Sequence, residues 1–165
     1  MRHQMAMTVR PSLDRIDRRI LARLQTDGRM TNQALAEKVA MSPSACLSRV
    51  RRLEQSGVIQ GYGARLNPWA LETKLILFAE VWMTGHHPLE LASFEAAVSQ
   101  TPEIVEASQV SGAFDYLIKV VVADMPAWND LAEGLIARDL GIDKIITHVL
   151  MKKTKRFSGY PVAVE

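Results

Sequence analysis

The chain has 165 residues, 48% of them hydrophobic and 23% charged, a composition that suits one ordinary globular domain or two small ones and excludes a disordered or fibrous chain. No apolar run approaches the roughly 20 residues that span a bilayer, and a single cysteine, Cys46, excludes an internal disulfide and fits a reducing cytosol. The net charge of +2 divides unevenly: through Arg65, twelve Lys and Arg face five Asp and Glu, a net of +7, and from Leu66 onward eight face thirteen, a net of −5. A basic front and an acidic back point to a polyanion partner at the front, with a solvated imbalance as the alternative.

Met1 to Pro11 carries Arg2, His3, Gln4 and Arg10 with no apolar segment, so it reads as a disordered tail and not a secretory signal, with Met5 or Met7 as alternative starts. Leu13, Ile16, Ile20, Leu21 and Leu24 recur at helical spacing behind Asp14, a candidate cap, and Asp27-Gly28 ends this first helix. Thr31 caps a short second helix whose apolar stripe is Leu35, Ala36 and Val39. After a break at Ala40-Met41, Ser42 caps a third helix with Pro43 in its first turn, running to about Gln55-Ser56 and stopping at Gly57. Two short helices joined by a tight turn form a helix-turn-helix.

Wound at 100° per residue, the third helix gathers Cys46, Leu47, Val50 and Leu53 on one face, which is expected to pack. Ser44, Ala45, Ser48 and Arg52 fall opposite, with Arg49 and Arg51 on the flanks. Short side chains near the N-terminus and guanidinium groups further along suit a helix that enters the major groove of double-stranded DNA. A solvated Arg-rich face is the bland alternative, and the three-helix spacing and local charge of +7 weigh against it. Cys46, on the packing face, is expected to be a buried, inert thiol.

Val58 to Leu66 is strand-like with glycine breaks, and Asn67-Pro68 marks a turn. Beyond it come a β-rich run from Leu75 to Met83, a Gly-His-His-Pro turn, and helix-spaced Leu91, Phe94, Ala97 and Val98. Strands follow at Ile104–Val110 and Asp115–Val122, then a helix behind Asp124 carrying Trp128, Leu131, Leu135 and Ile136, then a last strand from Ile142 to Met151. The order βαββαβ is that of a ferredoxin-like domain. Its sheet has one bare face, so dimers or larger assemblies are expected. The expected organisation is an α+β chain: residues 1–11 a tail, 12–60 a winged-type helix-turn-helix, 61–68 a linker strand, 69–165 the ferredoxin-like domain.

Chemistry is sparse in the second part. His86-His87 lacks a partner cluster for a metal, and no phosphate loop, nucleophile–base pair or paired carboxylate pattern occurs, so neither an enzyme nor a cofactor is implied. Lys152, Lys153, Lys155 and Arg156 make a basic tail. In Val110 to Tyr116, a Gly112 turn exposes backbone N–H groups and Asp115 opens the next strand. Such a turn can hold the carboxylate and ammonium of a free amino acid, or it is a hairpin in which Asp115 bonds the turn backbone.

From Leu13 to about Lys155 the chain resembles the Lrp/AsnC (leucine-responsive/asparagine) family of transcription factors. The landmarks are Leu13-Asp14-Arg15-Ile16-Asp17, Asp27-Gly28-Arg29, Thr31-Asn32, Ser42-Pro43-Ser44, Cys46-Leu47 and Arg49-Val50-Arg51-Arg52-Leu53-Glu54, then Gly57 to Tyr62, Leu66-Asn67-Pro68, Val110-Ser111-Gly112 and Phe114-Asp115-Tyr116. The resemblance implies a cytoplasmic, nucleoid-associated regulator that forms homodimers and octamers and bends or wraps DNA. It implies an amino acid or related metabolite in clefts between subunits, lined by Gly112, Phe114 and Asp115 and by Met125, Ala137, His148 and Val149. An architectural DNA binder with a vestigial cleft is the alternative. The chain departs from the family pattern at Ala45, where many members have proline, and at Ala40, where glycine is common. It departs again at Ala113, where an acid often precedes Phe114, and at His148, where an aromatic hydroxyl is common.

Overall fold

The computed structural model describes residues 12–71 and 75–163; the tail expected over residues 1–11 lies outside them. The described residues up to Arg65, together with those from Lys155 onward, form one compact unit, and Leu66–Thr154 form another.

The first unit holds α1 (Arg15–Thr26), α2 (Asn32–Val39) and α3 (Pro43–Gln55). Each begins on a side chain that accepts an otherwise unpaired N–H of the first turn. Asp14 accepts from Asp17 and Asp17 returns the bond, a reciprocal capping box; Thr31 accepts from Ala34, and Ser42 from Ala45. Ile20, Leu35, Ala36, Val39, Cys46 and Leu53 are buried together where the three helices meet. Ala40, between α2 and α3, is left-handed at φ 59°, ψ 54°, a conformation that crowds Cβ against the backbone.

The expected strand over Val58–Leu66 does not form, because its residues find no ladder partner among the described residues. Ile59 instead donates its N–H to the Leu53 carbonyl, and Tyr62 donates its hydroxyl to Glu54. The segment after Lys155, expected to belong to the second domain, docks on α1. Gln25 donates to the Tyr160 carbonyl at 3.0 Å and accepts the Tyr160 N–H at 2.6 Å. Gly159 precedes this contact at φ 126°, backbone that favours glycine.

The second unit opens with one turn of 3-10 helix, Pro68–Ala70, capped by Asn67. It continues through β1 (Leu75–Met83), α4 (Pro88–Ser99), β2 (Ile104–Gln109), β3 (Tyr116–Val122), α5 (Met125–Ile136) and β4 (Ile142–Val149). The sheet order is β2-β3-β1-β4 with every neighbouring pair antiparallel, the arrangement that a ferredoxin-like βαββαβ chain requires. Strand alternation divides the side chains. Leu77, Ala79, Val81 and Met83 of β1 and Tyr116, Ile118, Val120 and Val122 of β3 are buried with Phe94 and Val98 of α4 and Trp128 and Leu135 of α5. The opposite face carries Phe78, Glu80, Trp82, Leu117, Lys119 and Ile146, half-buried or exposed although no helix of the core cluster packs there, while Ile76 at its edge is buried. β4 ends at Val149, two residues short of the expected Met151. Its last pairing is with Leu77 of β1, and Leu150 adds one further bond to the Ile76 carbonyl.

Candidate functional site

The outer face of α3 is built by default. Cys46 and Leu53 are buried against α1 and α2 and Val50 is half-buried, which turns the rest of the helix outward. Ser44, Leu47, Ser48, Arg51, Arg52 and Gln55 line one shallow open surface. Their spacing of three and four residues is a single helical stripe. Of the expected DNA-contacting residues, Ser44, Ser48, Arg51 and Arg52 lie on this surface, and Ala45 is half-buried at its margin. Two residues on it were not anticipated. Gln55 lies about 20° from Ser48 on the helical wheel, so the periodicity contained that signal. Leu47 was expected in the core, yet 38% of it is exposed.

Arg49 faces elsewhere than its wheel position suggested. Its guanidinium donates to Asp14 Oδ2 and, at 2.9 Å, to Asp17 Oδ1, while Arg52 Nη2 reaches Asp17 Oδ2 at 2.6 Å. The Asp17 side chain is fully buried. A buried carboxylate is tolerable when charge and lone pairs are matched, and here two guanidinium groups and the Asp14 N–H match it. The Asp17 N–H and the Arg49 guanidinium together hold the Asp14 carboxyl below its usual range, and the Asp14 and Asp17 carboxylates raise Arg49 further. Arg52 is thereby held at its root with its side chain still 56% exposed. Burial raises the Cys46 thiol, so the side chain is the inert packing group that was expected.

In the second unit, Gly112 occupies the β2–β3 turn at φ 141°, backbone that favours glycine, with open space where a Cβ would stand. Phe114 packs on Trp82, ring centroids 5.7 Å apart. Asp115 spans two elements: Oδ2 accepts the Met83 N–H at 2.8 Å and Oδ1 meets His86 Nε2 at 2.7 Å. The Met83 N–H, and then His86, hold the Asp115 carboxyl below its ordinary value against a partial desolvation cost. His148 lies on the bare face, with Nε2 3.1 Å from Glu80 Oε1. Trp82 and Glu80 are thus neighbours of the candidate effector residues that the sequence did not single out, and His86, weighed there only as a metal ligand, is a third.

Six of the seven candidate effector residues fall into two groups. Gly112, Phe114 and Asp115 sit at the sheet end where Val81 and Met83 finish β1. Met125 opens α5 just after β3 ends at Val122, and His148 and Val149 pair with Phe78 and Leu77 toward the start of β1, at the opposite end. Ala137 caps the far end of α5 from Met125, about 18 Å along the helix axis.

The chain matches the family model for winged helix-turn-helix DNA binding over residues 13–60 and the Lrp/AsnC ligand binding domain over residues 76–160. It is 46% identical over 144 residues to the leucine-responsive regulatory protein of Salmonella typhimurium, covering 87% of this chain and 88% of that one. This chain belongs to the Lrp/AsnC family of transcriptional regulators. An AsnC family regulator from Agrobacterium tumefaciens has the same fold at a TM-score of 0.82 and 34% identity, over 90% of this chain and 96% of that one. A Neisseria meningitidis regulator solved with L-methionine follows at 0.83 and 31%, over 91% and 97%. These relatives are transcriptional regulators and not enzymes, and the matches make residues 13–60, which hold α1 to α3, a winged helix-turn-helix DNA-binding domain and residues 76–160 an Lrp/AsnC ligand binding domain. No described helix is long and apolar enough to cross a membrane.

Proposed function

We propose that this protein is a cytoplasmic regulator of amino-acid metabolism that binds double-stranded DNA as a homodimer or octamer and responds to an amino acid bound between subunits. The observation that carries the reading is the division of the candidate effector residues between two ends of one sheet. A small ligand cannot touch Asp115 and Met125 of the same protomer across that length, so a cleft using both groups draws them from two copies. The uncovered face with Phe78, Trp82, Leu117 and Ile146 supplies the apolar surface for the first pairing. Asp115 and the N–H groups around Gly112 then take the ammonium and carboxylate of the ligand. The relative crystallised with L-methionine supports that ligand class.

The engaged state of Asp115, with both oxygens already occupied, favours a second reading, an architectural DNA binder that ignores effectors. Gel-shift titration with each of the twenty amino acids separates the two. The sensor reading expects at least one amino acid to change DNA affinity fivefold or more, about 1 kcal/mol of coupling. Unchanged affinity with all twenty would transfer the assignment to the architectural reading.

A further inference from the structure

We infer that Leu47 is a sequence-reading residue of α3 whose ligand is the C5 methyl group of a thymine. The inference rests on the DNA-binding role of this helix and assigns it a specificity. Leu47 is the one large hydrophobic residue of α3 that is exposed. It does not fill the seam with α1 and α2, because Cys46, Val50 and Leu53 already do so. It opens onto the same surface as Ser44, Ser48, Arg51 and Gln55. A solitary exposed leucine needs no explanation on an ordinary surface. Here its neighbours determine what can approach it.

Ser44 and Ser48 are short and leave the isobutyl group unobstructed, and Ser44 is drawn toward Ser42, their hydroxyl oxygens 3.3 Å apart. Arg51 and Arg52 line the same surface, in a segment of net charge +7, so the approaching partner is a polyanion. An apolar protein would have to bury these arginines unpaired. DNA presents negative phosphates to the arginines and, in the major groove, one apolar group, the thymine methyl. Leu47 has the chemistry to contact that group, and contact with it distinguishes T·A from the other pairs at one position of each half-site.

The test uses the full-length protein. Duplexes are selected from a randomised pool, and each thymine of the selected site is replaced singly by deoxyuridine, which lacks only the C5 methyl. One thymine per half-site is expected whose replacement weakens wild-type binding about fourfold, the worth of one buried methyl-sized group. Leu47→Ala should bind the two duplexes equally, while Leu47→Met, which keeps an apolar arm, should retain the preference. Equal wild-type binding to thymine and deoxyuridine at every position overturns the proposal and leaves the DNA-binding role standing. Undiminished discrimination in Leu47→Ala overturns it as well, and so does failure of Leu47→Ala to fold, which would assign the side chain to packing. A wild-type protein that enriches no sequence removes the DNA-binding reading and this inference with it.

Discussion

Asp17 in the helical unit and Asp115 in the sheet unit each hold a nitrogen-bearing side chain, and the difference between them is instructive. Asp17 is wholly buried and bonded to two arginines, groups that stay charged at any working pH. Asp115 is 19% exposed and bonded to His86, whose side chain is 72% exposed. The first arrangement is closed to solvent on the Asp17 side, and it ties α3 to α1. The second is exchangeable, because it is open to solvent on the His86 side and its rupture exposes no fully buried charge. The ion pairs of the helical unit are thus closed off within one protomer, whereas in the proposed dimer the sheet unit offers a second copy both its outer face and half of a site.

The most severe way to break this contrast is Asp17→Ala. It removes half of the capping box and the acceptor of two guanidinium groups, and should cost about 3 kcal/mol. Calorimetry of the full chain should show the transition of the helical unit falling while that of the sheet unit holds. A joint fall of both would mean that the units are not independent. On the other side, Ile146→Asp places a charge on the uncovered sheet face opposite Glu80 while leaving the core untouched. Self-association measured by analytical ultracentrifugation should weaken about a hundredfold, roughly 2.7 kcal/mol, with little change in the fold. Undisturbed association would show that this face is not where copies meet.

Asp115→Asn tests exchangeability directly. Loss of a charge-assisted contact worth roughly 1.5–3 kcal/mol should weaken amino-acid binding about tenfold or more in calorimetric titration, with DNA binding retained but answering only at higher effector concentration. Wild-type ligand affinity in the folded variant would refute the contact. The same carboxyl has a pH signature. Its folded-state pKa is depressed by the Met83 N–H and by His86, so its stabilising contribution is present above about pH 4, the value of an unfolded aspartate. That contribution is lost as pH falls through the folded value. Thermal unfolding between pH 5 and 2.5 should therefore show a shallower loss for Asp115→Asn than for wild type.

Local chemistry was the legible part of the sequence. Asp14, Thr31, Ser42 and Asp124 cap the helices expected of them because a cap is a bond between near neighbours. The βαββαβ order follows from periodicity and turns. What stayed hidden depends on partners distant in the chain. Arg49 turns toward Asp14 and Asp17 because α1 lies there, and a wheel drawn for one helix contains no α1. Leu47 stands about 90° from the centre of the Cys46, Val50 and Leu53 face, so periodicity alone left its side undecided. Val58 to Leu66 has strand-forming residues but no ladder partner among the described residues. The docking of Tyr160 on Gln25, 135 residues apart, has no local signal at all.

The smallest effect, and the one that strengthens the helical unit further, is expected at Ala40. This residue closes α2 in the left-handed conformation, where an L-residue with a Cβ loses about 1–2 kcal/mol. Its N–H still reaches the Glu37 carbonyl at 3.2 Å and the Met41 N–H the Ala36 carbonyl at 3.0 Å, so the turn is held by bonds that any residue can make and the strain belongs to the side chain alone. Ala40→Gly relieves it. Glycine loses more freedom on folding, which offsets about 0.5–1 kcal/mol of the gain. The net is stabilisation of about 0.5–1 kcal/mol, or an upward shift of a few degrees in the melting of a unit this small. Because the substitution touches neither Asp17 nor the outer face of α3, affinity for a selected duplex should stay within twofold of wild type. A lower melting temperature would mean that the methyl group of Ala40 contributes packing that outweighs its strain, and the turn would then be a tuned contact between α2 and α3.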